Sequence, residues 1–89
     1  MKIYAMSEFQ KICFSEVVKY HNKHNELSTN VAITEDQVYM VWGVKALQNF
    51  KGLFSTTIPD GMYYEITYNG NAEELYFDAY KKQENVVIK

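Results

Sequence analysis

The chain has 89 residues, 47% hydrophobic and 22% charged, with a formal net charge of −2. That length suits one domain, residues 1–89, and not two. The charge argues against a basic patch for duplex nucleic acid, where each neutralised phosphate needs a cation, and the single Cys13 excludes an internal disulfide.

No apolar run approaches the roughly 20 residues of a bilayer span, and the opening residues lack the apolar core of a signal peptide. A cytoplasmic protein with no membrane partner is expected, with Cys13 a reduced, packed thiol. Eight Tyr exceed what so small a core can bury. Tyr joins an apolar body to a polar tip and suits interfaces, so a homo-oligomer is expected.

"MKIYAM" reads as a short strand. Ser7 then offers an N-cap with Gln10 as its capping-box partner. Phe9, Ile12, Cys13, Val17, Tyr20 and His24 follow at helical spacing, which predicts a helix over residues 7–24. His21 and His24 could share a metal with Glu26, but cationic side chains also suit a polar helix end. No metal and no cofactor are expected.

After a polar connection, Thr34 and Gln37 form a second capping-box pattern, with Glu35 and Asp36 placed for the first turn. A second helix is predicted over residues 35–51, with Gly52 just past its end. Tyr39, Met40, Gly43, Ala46, Leu47 and Phe50 would share its broad apolar face. Lys45, Gln48 and Asn49 would gather on the other side, flanked by Val41 and Trp42.

The rest reads as sheet. "LFSTTI" has β-branched strand content, and "PDG" is a turn in which Pro fixes φ and Gly permits positive φ. "MYYEITY" and "EELYFDAY" around Asn69 and Gly70 make a C-terminal β-hairpin. A two- or four-residue loop places Tyr64, Ile66 and Tyr68 with Leu75, Phe77 and Ala79 on one face. The other face carries Tyr63, Glu65 and Thr67 beside Glu74, Tyr76 and Asp78. "VVI" near the end is a further strand or a docking tail. The expected fold is α+β: two helices packed on one face of a small antiparallel sheet.

"VYMVWGVKALQNF", "STTIPDGMYYEITYNG" and "DAYKK" resemble a small uncharacterised protein family of phages and prophages of Gram-positive bacteria, over roughly residues 34–82. The resemblance implies an accessory protein that acts on host defences or metabolism by binding. It supplies no catalytic residue.

Two sites follow. Trp42, Lys45, Gln48 and Asn49 combine a stacking surface, a cation and amides, which suits a small nucleotide-derived ligand. Tyr63, Glu65, Tyr76 and Asp78 suit a basic protein surface and repel phosphate. Catalysis has little support: Cys13 and His21 are not adjacent on the helical wheel, Ser55, Thr56 and Thr57 have no nearby base, and no Gly-rich phosphate loop is present. The first reading is a non-enzymatic counter-defence protein that sequesters a nucleotide-derived host immune signal in a homo-oligomer. The alternative is an inhibitor of a host protein acting through the acidic, tyrosine-rich face.

Overall fold

The periodic run after Ala5 folds as α1, Met6–His24, and buries Phe9, Cys13, Val17 and His21 at four-residue intervals. A computed structural model describes residues 2–24 and 32–89. The helix starts one residue earlier than expected. The Ala5 carbonyl accepts the Glu8 and Phe9 N–H groups. The Glu8 carboxylate accepts the Tyr4 and Ala5 N–H groups at 3.2 and 3.1 Å. An anionic acceptor at the positive end of the helix dipole takes the role expected of Gln10. Residues 2–4 form no strand, although Ile3 is buried in the core.

The predicted second helix does not form. Glu35–Gln37 makes one 3₁₀ turn, and the chain then continues as β1, Val38–Ala46, and β2, Asn49–Thr56. The capping contact exists: Gln37 Oε1 accepts the Thr34 N–H at 3.1 Å. It closes a single turn because the next seven residues, Val38, Tyr39, Met40, Val41, Trp42, Gly43 and Val44, are mostly β-branched or aromatic. Such side chains lose rotamer freedom in a helix, and a helix-interior Gly costs about 1 kcal/mol.

β3, Met62–Asn69, and β4, Glu74–Lys81, complete a four-stranded antiparallel sheet in sequential order. The fold is α+β, with one helix where two were expected. The "PDG" turn joins β2 to β3, and Gly61 adopts φ 74° there. The β3–β4 loop spans residues 70–73, so Tyr68 pairs with Leu75. Tyr64, Ile66 and Tyr68 share a face with Ala79, Phe77 and Leu75 as expected. Residues 82–89 add no strand.

A bulge decides the faces of β1. Met40 pairs with Phe54, yet Trp42 pairs with Leu53, leaving Val41 as the extra residue. Beyond it, Trp42 and Val44 join the face away from α1, while Gly43 and Lys45 turn toward the helix side opposite Gly52 and Phe50.

Phe9, Cys13 and Val17 pack with Val38, Phe50, Phe54, Tyr64, Ile66 and Tyr68. Phe9 stacks on Phe50 with ring centroids 5.4 Å apart. Burial pushes the Cys13 thiol far up, with Glu16 adding to the shift, so the thiol stays neutral. Burial also pushes the Tyr64 phenol up to about 12. The molecule measures 40 × 38 × 20 Å. Twenty ångströms hold one helix layer and one sheet layer, so the second sheet face is uncovered.

The β1–β2 turn carries a strained residue. Leu47 has φ 58° and is 83% exposed. A left-handed conformation costs a non-glycine residue about 1–2 kcal/mol, and this side chain gains no burial in return. Leu47→Gly is therefore expected to stabilise the fold by about 1 kcal/mol and raise the melting temperature by roughly 4 °C. Thermal melts of the two chains check this.

Candidate functional site

The uncovered sheet face takes alternate residues from all four strands. β1 contributes Tyr39, Trp42 and Val44, and β2 contributes Leu53 and Lys51 opposite the last two, while Ser55, paired with Tyr39, is buried and donates to the Met62 carbonyl at 2.8 Å. β3 contributes Tyr63, Glu65 and Thr67, and β4 contributes Tyr80, Asp78 and Tyr76 opposite those. Leu53 in turn pairs with Glu65, and Lys51 with Thr67. A row therefore runs Trp42, Leu53, Glu65, Asp78 across the sheet.

The face has two chemical halves. Over β1 and β2 it is apolar: Tyr39, Trp42 and Val44 are exposed and flank the half-buried Leu53. Over β3 and β4 it is acidic and phenolic, with Glu65, Asp78 and Glu74 among Tyr63, Tyr76 and Tyr80. Lys51 sits near the middle, 3.7 Å from Glu65. Tyr76 donates to Glu74 at 2.8 Å, and this bond raises the phenol's pKa because it favours the protonated form.

Tyr63, Glu65, Tyr76 and Asp78 thus stand together on one surface, as the hairpin register implies. Trp42, Lys45, Gln48 and Asn49 do not. The helix that would have grouped them is a hairpin, and a hairpin sends alternate residues to opposite faces. Trp42 is 43% exposed on the open face. Lys45 lies on the helix side, with Nζ 5.5 Å from the Phe50 ring centroid and donating to the Leu47 carbonyl at 2.7 Å.

Gln48 and Asn49 brace one turn against another. Gln48 Nε2 donates to Asn71 Oδ1, and Asn49 Oδ1 accepts the Gly70 N–H at 2.8 Å. A Cβ on Gly70 would lie 2.2 Å from the Gln48 carbonyl oxygen, so only glycine fits this approach. The two amides bind other turn residues.

The two histidines also part company. His21 is buried with Nδ1 3.9 Å from Asp60 Oδ2, and its Nε2 is buried without a hydrogen-bond partner among the described residues. His24 is exposed, stacks on Tyr20 at 4.0 Å, and has Nδ1 2.9 Å from the Tyr20 carbonyl oxygen. The expectation of a wholly polar helix end therefore fails for His21, which packs inward. Glu26 lies outside the described residues. No described helix is long and apolar enough to cross a membrane.

Sequence reasoning missed Tyr39, Val44, Lys51, Leu53 and Tyr80 as parts of the open face. The run "FKGLF" alternates Lys51 and Leu53 outward against the buried Phe50, Gly52 and Phe54, and that period-2 signal was available. On β1 the bulge broke the alternation.

No curated protein and no solved structure matches the chain. A family model matches residues 10–89, nearly the whole sequence, and the chain therefore belongs to the family of unknown function DUF6275.

Proposed function

We propose that this protein acts by binding another protein through its open sheet face, as a small accessory protein and not as an enzyme. The observation that carries the reading is the row Trp42, Leu53, Glu65, Asp78, where an apolar half abuts an acidic, tyrosine-rich half. Exposed aromatics anchored in apolar surroundings are typical hot spots, and an acidic flank selects a basic partner and speeds its approach. The face carries Glu65, Glu74 and Asp78 against Lys51. That imbalance disfavours a second copy packing face to face and favours a cationic surface.

The resemblance to phage accessory proteins supports a host protein as the target and inhibition as the outcome. Capture of a nucleotide-derived signal has less support, because Trp42 and Lys45 lie on opposite faces and Lys45 already bonds the Leu47 carbonyl.

Native mass spectrometry after incubation with host lysate tests the proposal. A host protein should be retained by the native chain and lost with Asp78→Lys, whose reversed charge faces the same partner. Asp78 is exposed, so the variant should melt within about 0.5 kcal/mol of the native chain. Retention of a small mass alone, or of the same protein by Asp78→Lys, would overturn the proposal.

A further inference from the structure

One helix cannot cover four strands. The outer strands of such a sheet lie about 14 Å apart, and a helix with its side chains is about 10–12 Å across. α1 packs over β1, β2 and β3. The helix side of β4 is left with a groove of about 350 Å³, walled by Tyr20, Leu75 and Phe77 and rimmed by Glu16, Lys19 and Lys23. Beyond β4, residues 82–89 run on without regular structure, and Val86, Val87 and Ile88 are 61%, 75% and 90% exposed. The chain thus presents an open apolar groove and an apolar segment without cover.

We propose that residues 84–89 dock in the groove between α1 and β4 of their own chain, as a strap that completes the layer over β4. Three features support this occupant. The first is where the segment departs. The Lys82 N–H donates to the Gly61 carbonyl at 2.7 Å, next to Asp60, which faces His21 in the last turn of α1. The segment therefore leaves from the Lys23 end of the groove.

The second is reach. At about 3.3 Å per residue, Ile88 can extend about 20 Å from Lys82, and Phe77 lies about 17 Å back along β4. A tether this short holds the segment at an effective concentration on the order of millimolar.

The third is the order of charges. From the departure point the helix rim offers Lys23, Lys19 and then Glu16. From the same end the segment offers Glu84, then Val86, Val87 and Ile88, then Lys89. Folded back along the groove, Glu84 meets the two lysines, Val86 and Ile88 on one side of the extended segment cover Phe77, and Lys89 meets Glu16. This surface lies on the opposite side of the sheet from the partner face, so neither reading depends on the other.

The test is NMR on the 89-residue chain. Methyl groups of Val86 and Ile88 should give NOEs to the Phe77 and Tyr20 rings, with backbone order parameters above about 0.6. Lys23→Glu should abolish those NOEs and drop the order parameters below about 0.6, and adding Glu84→Lys should restore both. Lys23 and Glu84 are exposed, so the fold should survive both changes. A native chain without these NOEs, or a Lys23→Glu variant that keeps them, would overturn the strap. NOEs only between molecules in a mixed-label sample would place the segment on a second copy and equally overturn it.

Discussion

Phe9→Ala is expected to cost about 3–5 kcal/mol and to lower the melting temperature by roughly 15–30 °C. Phe9 is fully buried and reaches from α1 to the middle of the sheet. Its ring stacks on Phe50 at 5.4 Å and tilts against Phe54 at 6.1 Å, so truncation leaves two aromatic rings facing a void. The surroundings can collapse little, because α1 is the sole α-helix among the described residues and the sheet fixes both rings. A small domain has about 5–13 kcal/mol of stability in total, so this single change removes a large share. Urea titration checks it. A loss below about 1 kcal/mol would mean that α1 does not depend on this side chain for its docking.

Trp42→Ala is expected to behave in the opposite way. The fold should lose no more than about 1 kcal/mol, because the indole is 43% exposed and its main neighbour is the cross-strand Leu53. Partner affinity should fall by about 2–4 kcal/mol, or roughly 30- to 1,000-fold. A large aromatic side chain beside Leu53, with Glu65 and Asp78 further along the row, is the anchor around which a partner excludes water. Calorimetry with the purified partner, beside a melt of each chain, separates the two effects. An unchanged affinity would remove Trp42 from the interface. Loss of the fold would place it in the core, which its exposure contradicts.

The sequence by itself determined the elements whose signals are local. α1 carries a clean helical period from Phe9 to Val17 with Glu8 to close its start. The β3–β4 hairpin has strict alternation, so any even-length loop yields the same two faces. A four-residue loop therefore gives the expected grouping of Tyr63, Glu65, Tyr76 and Asp78. The "PDG" turn is local in the same sense, since Gly61 meets the need for positive φ within its own loop.

Only the tertiary structure decided which faces the residues of 35–51 present. The 3₁₀ turn at Glu35–Gln37 satisfies a helix-start pattern without starting a longer helix. The bulge at Val41 then spaces the inward residues of β1 as Val38, Met40, Gly43 and Lys45, which breaks the strict alternation that marks a strand. Local propensity favours strand there. What settles it is that β3 offers an open edge to β2 and β2 offers one to β1, satisfying backbone groups that lie far apart in sequence. The same pairing splits Trp42 from Lys45 and joins Trp42 to Glu65 and Asp78 through Leu53. A one-residue insertion reverses every side chain beyond it, so the face of Trp42 depends on a register that only the neighbouring strand supplies.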